Sequence, residues 1–117
     1  MKTEDCPVRV TADVIGGKWK PLILFYLKSG TRRFNELRRL IPEATHKMLT
    51  EQLRQLEADD VIVRKVYAEV PPRVEYSLSA HGRSLRSVLE QMARWGERHR
   101  HKYAHRQRSA TASDDRS

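Results

Sequence analysis

Between Phe34 and Leu78 the chain reads as four consecutive pieces: a short helix, a proline turn, a second helix, and a hairpin with Pro71 and Pro72 at its tip. Phe34, Leu37, Leu40 and Ile41 recur at helical spacing, and Pro42 stops that helix because proline disfavours the α conformation at the residue before it. The turn then spans Ile41 to Ala44. Thr45 is placed to cap a helix of about 13 residues in which Leu49, Leu53 and Leu56 fall at i, i+4 and i+7, with Met48 beside them. These four residues are expected to face a core. The hairpin runs from Val61 to Leu78: Val61, Ile62, Val63 and Val66 are β-branched, and Val74, Tyr76 and Leu78 alternate with Glu75 and Ser77 on the return strand. Prolines cannot continue a ladder, which is why Pro71 and Pro72 belong at the tip. Helix, tight turn, helix and hairpin in this order form a winged helix-turn-helix. The expected fold class is therefore mainly α with a small β-hairpin wing (α+β).

The outward side of the second helix carries the functional expectation. Thr45, His46, Lys47, Thr50, Glu51 and Arg54 offer donors and acceptors away from the leucines. Most polar helix faces meet only water. Here the helix-turn-helix spacing in front, the hairpin behind and basic residues on both sides favour a duplex instead. Arg64, Lys65 and Arg73 project from the hairpin. Such cations also guard exposed strand edges, but beside a helix-turn-helix they are expected to hold phosphates or the adjacent minor groove, where Arg is favoured. Arg32, Arg33 and Arg38, near the first helix of the motif, are candidates for flanking phosphates. Lys47 and Arg54 suit guanine or phosphate, and the pattern leaves both open. Lys and Arg number 23 against 15 Asp and Glu, a formal net charge of +8, which attracts polyanions. Double-stranded DNA is the expected partner.

The flanking segments complete one domain, taken as residues 5–103. Pro7 suits the first position of a helix capped by Cys6, with Val8, Ala12 and Ile15 on one face before Gly16 and Gly17 break it. Trp19, Leu22, Ile23, Leu24, Phe25, Tyr26 and Leu27 then make a helix, about Lys18 to Ser29, that is apolar nearly all round and should be buried on most sides. Gly30 ends it, and Thr31 to Arg33 allow only a brief extended stretch. Ser79 is read as the N-cap of a last helix reaching about His101, with Leu85, Val88, Leu89, Met92 and Trp95 as an apolar stripe. A helix of this length overshoots a domain already closed by the wing, so its stripe, helped by Val8 and Ala12, is expected to pair two copies into a homodimer. Residues 104–117 are Ser-, Arg- and Asp-rich without periodicity and read as a disordered tail.

Other classes are set aside on the same grounds. There is no Gly-rich phosphate loop, nucleophile elbow or paired-carboxylate cleft, so neither an enzyme nor a cofactor is expected. His101 and His105 stand at i and i+4 with His99 nearby, but without a carboxylate or thiol partner no metal is expected. No apolar run approaches the 18 or so residues of a membrane span, and no signal-peptide stretch is seen, which makes the cytoplasm the default location and a membrane partner unexpected. A single cysteine, Cys6, excludes an internal disulfide.

The blocks Cys6-Pro7, Ile15-Gly16-Gly17-Lys18-Trp19, Arg33-Phe34-Asn35-Glu36-Leu37, Lys47-Met48-Leu49-Thr50 and Pro71-Pro72-Arg73-Val74-Glu75-Tyr76-Ser77-Leu78 together resemble the HxlR family of bacterial transcriptional regulators, over about residues 5 to 100. The resemblance implies a winged helix-turn-helix homodimer on a pseudo-palindromic operator, most simply as a repressor. It also implies that some members sense quinones, aldehydes or oxidants through a cysteine near the N-terminus, where Cys6 stands. A helix N-terminus favours a thiolate, while Glu4 and Asp5 oppose it. With one cysteine in the chain, the available products are an intersubunit disulfide, an alkyl adduct or a mixed disulfide. The alternatives are a regulator whose small-molecule ligand sits in a pocket at the dimer interface without a cysteine switch, and a protein-interaction module on the same scaffold. One departure is Asp59-Asp60, where the family commonly has Asp-Gly; Asp tolerates a left-handed cap less well than Gly.

Overall fold

The computed structural model describes residues 2–115 in backbone and, from residue 2, side chains through residue 104. The chain forms two units, Met1–Arg86 and Ser87–Ser117. In the first, α1 (Pro7–Ile15) and α2 (Lys20–Leu27) precede a two-residue strand β1 (Arg32–Arg33), α3 (Phe34–Leu40) and α4 (His46–Ala58), followed by the hairpin β2 (Ile62–Tyr67) and β3 (Arg73–Leu78). The brief extended stretch expected before α3 has a partner: Arg32 pairs with Tyr76 and Arg33 with Glu75, so β3 is the central strand of an antiparallel sheet ordered β1-β3-β2. β2 pairs with β3 in continuous register from Ile62↔Leu78 to Tyr67↔Arg73.

The core is built from Ile23, Leu24 and Leu27 of α2, Leu37 and Ile41 around α3, Leu49, Leu53 and Leu56 of α4, and Val61, Ile62, Tyr76 and Leu78 of the sheet, all buried. Three sequence expectations need correction here. Met48 does not face the core but is 45% exposed, because at about 100° per residue it lies well round the helix from Leu49, Leu53 and Leu56. α2 is shorter than Lys18 to Ser29 and is buried on one side only; Leu22 and Phe25 are each more than a third exposed. Ser79 does not cap the long helix, α5, which begins at Arg86; its hydroxyl accepts from Gly82 N–H at the start of a 3-10 turn (Gly82–Leu85) whose N-cap position is His81.

Two joints fix α4 against the sheet. At its C-terminus Val61 N–H donates to the Leu56 carbonyl and Asp60 N–H to that of Glu57, at 3.2 and 3.0 Å, with Asp60 in the left-handed region at φ 60°. This is a Schellman ending, in which the left-handed residue lets two orphan carbonyls find donors while Val61 packs back toward Leu56. Asp60 therefore occupies the position where glycine has the lower conformational cost. The second joint is Ser79, whose hydroxyl donates to the Asp60 carbonyl at 2.6 Å and accepts from Gly82 N–H at 2.8 Å. A Cβ on Gly82 would come within 1.8 Å of the Val61 carbonyl oxygen, so this close approach requires glycine.

The second unit is the body of α5, which runs from Arg86 to Asp115, past the expected end near His101. The reading of residues 104–117 as a disordered tail falls, beyond residue 104, on side chains outside those described. Val88, Met92 and Trp95 are exposed at 37%, 43% and 60%, whereas Leu89 is buried. The Trp95, His99 and Tyr103 rings follow one another along this helix, stacked at 4.8 and 6.0 Å.

Candidate nucleic-acid interface

Thr45 opens α4 by accepting the Met48 N–H at 3.1 Å, the standard way a short oxygen side chain satisfies an orphan donor of the first turn. Beyond it His46, Lys47, Thr50, Glu51 and Arg54 line one shallow depression on the outward side. The inner leucines make this arrangement obligatory, since a helix that buries i, i+4 and i+7 must turn the remaining positions away. His46 is held in place: its ring packs on Phe34 of α3 with centroids 4.7 Å apart, and its carbonyl accepts the Thr50 hydroxyl at 2.8 Å. Among the described residues Lys47 and Arg54 form no ion pair, so both cations are available to an outside anion.

The sheet adds Arg64. A cleft lined by Thr50, Leu53, Arg54, Glu57, Arg64 and Tyr76 joins α4 to the wing and brings the Arg54 and Arg64 side chains to one surface. Arg73 is differently placed. Its guanidinium lies over the Tyr67 ring at 3.9 Å, its Nη2 is 3.2 Å from Glu69 and its Nε 3.5 Å from Glu75, without the geometry of a hydrogen bond in the latter case. Arg73 thus ties the two strands of the wing together. Lys65 leans on the other participant in this cluster, with its Nζ 4.9 Å from the Tyr67 ring centre.

The flanking arginines also separate. Arg32 is half-buried, donating to the Tyr26 carbonyl at 3.4 Å and lying 3.8 Å from Glu36. Glu36 in turn accepts the Arg33 N–H at 3.0 Å and so caps α3. Arg33 and Arg38 are exposed and form no ion pair among the described residues. Arg39, passed over in the sequence, joins Arg38, Asn35 and Pro42 around one depression at the turn. Its signal was present: it falls outside the Phe34, Leu37, Ile41 stripe and directly follows Arg38. Cys6 is half-buried at the N-cap of α1, with its thiol free.

Free cations on the outward face of the second helix of a helix-turn-helix, with a wing alongside, coincide with a family match. The model of the HxlR-like helix-turn-helix family covers residues 14–104. The chain belongs to the HxlR-like family. Among its curated relatives are two HTH-type transcriptional regulators of Bacillus subtilis: YybR, 54% identical over 83% of this chain and 78% of the relative, and YdeP, 55% identical over 83% and 76%. Solved structures agree. The redox regulator HypR in its reduced form superposes with a TM-score of 0.79 at 53% identity, over 81% of this chain and 94% of that one. The reduced form of YodB from B. subtilis gives 0.68 at 35% identity, over 79% and 91%. This HxlR-like chain is a transcriptional regulator with a winged helix-turn-helix fold. No helix among its described residues is long and apolar enough to cross a membrane.

Proposed function

We propose that this HxlR-like protein is a homodimeric repressor that binds a pseudo-palindromic operator through α4 and the wing and is released when Cys6 reacts. The observation that carries the DNA-binding part is the surface on which Lys47, Arg54 and Arg64 stand together, none of them in an ion pair among the described residues although Glu51 and Glu57 line the same depressions. His46, Thr50 and Glu51 supply the polar groups for base edges, and Thr45 sets the start of the helix, whose N-terminal residues enter the major groove first. Arg33, Arg38 and Arg39 hold flanking phosphates. Arg32, Lys65 and Arg73 contribute by shaping the elements they belong to.

The homodimer is supported by apolar surface in each unit: Val8 and Val10 on α1 are 76% and 55% exposed, and Val88, Met92 and Trp95 are open on α5. Ala12 of α1 is exposed as well, whereas Leu85 is half-buried and Leu89 is buried within the protomer, which leaves these two little to offer a partner. Two recognition helices would then meet half-sites about one duplex turn apart, roughly 34 to 36 Å.

Release through Cys6 draws its support from the redox regulators among the structural relatives and from the free, half-buried thiol at the N-cap of α1. With a quinone, the Cys6 thiolate adds to a ring carbon, the C–S bond forms, and the ring oxygens take up protons to give a hydroquinone thioether. With a two-electron oxidant such as a peroxide, two Cys6 thiols of a dimer lose two protons and two electrons and become one disulfide. The test is retardation of the upstream region of the protein's own gene by wild type and Cys6→Ser, with and without benzoquinone. The expected result is quinone release of wild type alone; release of both proteins refutes the switch.

A further inference from the structure

Glu51 is the only carboxylate in the first two turns of α4, and it faces outward. At about 100° per residue it is the residue of those two turns nearest the point opposite Leu49, Leu53 and Leu56, the deepest-reaching direction on a helix laid in a groove. Lys47 stands four residues before it and Arg54 three after, spacings at which helix charges commonly pair. Yet Glu51 makes no ion pair or hydrogen bond among the described residues. A lysine preceding its acid by four is also the weaker order for such a pair. Helix stabilisation therefore does not account for this side chain. Nor does general attraction to a duplex, because a carboxylate held against DNA is repelled by the phosphates on either side.

What offsets that repulsion is a hydrogen-bond donor on a base edge. In the major groove the donors are the amino groups of cytosine and adenine. Adenine sets its N7 acceptor beside the amino group, so the second carboxylate oxygen meets a lone pair there, whereas cytosine presents N4–H next to a C5–H. His46 lines the same depression with its ring packed on Phe34, and Glu51, on the side away from the leucines, stands between Lys47 and Arg54 in sequence. We propose that Glu51 is a specificity-determining residue that accepts a hydrogen bond from a cytosine in each half-site and repels duplexes that lack one. The inference rests on the reading of α4 as the recognition helix.

The experiment is selection from a pool of random-sequence duplexes by wild type, Glu51→Gln and Glu51→Ala, followed by anisotropy titration of the enriched and unselected duplexes. Wild type should enrich a half-site with one cytosine preferred by roughly 5- to 100-fold. Glu51→Gln should move that preference to adenine, which glutamine reads through N6 and N7. Glu51→Ala should become indifferent there and bind unselected duplex several-fold more tightly. The same base preference in all three proteins, or a wild-type half-site without cytosine, overturns the role of Glu51 alone. Failure of wild type to enrich any common sequence overturns the recognition-helix reading, and this inference with it. Equal thermal melting of the three proteins, as expected for an exposed position, confines any difference to binding.

Discussion

Helix α4 and the wing carry the same kinds of residue to opposite ends. On α4 the cations Lys47 and Arg54 stand beside Glu51 and pair with nothing, while on the wing Arg73 is held by Tyr67, Glu69 and Glu75. The physical difference lies in the support beneath them. Helix α4 is rigid because Leu49, Leu53 and Leu56 are fully buried, so its outer side chains need no bonds among themselves. The wing has no such base: Val63, Val66 and Val70 are exposed at 46%, 51% and 101%, and the hairpin beyond the core must be held by its own cluster. A buried helix can keep its charges for a ligand, whereas a two-stranded projection uses part of them on itself.

The largest effect that would break this comparison comes from the free cations. Lys47→Ala with Arg54→Ala should weaken operator binding by about 100-fold or more and flatten the salt dependence by up to about two phosphate equivalents. Anisotropy titrations over a range of salt would measure both, and an unchanged affinity would remove α4 from the interface. Next is the support itself. Leu53→Ala should cost about 2 to 5 kcal/mol in urea unfolding, from the lost burial and the cavity left behind. A cost below about 1 kcal/mol would show that α4 does not depend on its leucines.

The wing predictions are smaller and divide its two arginines. Arg64→Ala should reduce the salt slope by about one and leave stability within about 0.5 kcal/mol. Arg73→Gln should do the reverse, lowering stability by about 1 kcal/mol through loss of the aromatic and carboxylate contacts while leaving the slope unchanged. A reduced slope for Arg73→Gln would mean that this side chain leaves its cluster to meet a phosphate. The smallest effect is expected at the joint between the two regions. Asp60→Gly should stabilise the fold by a few tenths to about 1 kcal/mol by relieving the left-handed strain, read as a rise in melting temperature; a fall would show that the aspartate side chain compensates for its backbone.

Much of this was legible in the residues. Pro42 and the leucine spacing placed both helices of the motif, Thr45 its cap, and Pro71-Pro72 the tip of the hairpin, because proline and i, i+4, i+7 patterns act locally. Even the strain at Asp60 could be read from the missing glycine. The misreadings share a cause. Met48 reads as core because it is apolar and adjacent, and α2 reads as buried on most sides because it is apolar nearly all round, but hydrophobicity reports a capacity for burial and not the neighbour that provides it. The pairing of Arg32-Arg33 with β3 joins segments more than forty residues apart, and nothing local announces it.

By itself, then, the sequence determined the element types, their order and the division of α4 into an apolar and a polar side, since these follow from backbone sterics and periodicity. Only the tertiary structure decided which charges remain free. Arg54, Arg64 and Arg73 are alike as residues, and what separates them is whether Tyr67, Glu69 and Glu75 are near enough to hold one of them, a matter of distances that arise only when the strands pair.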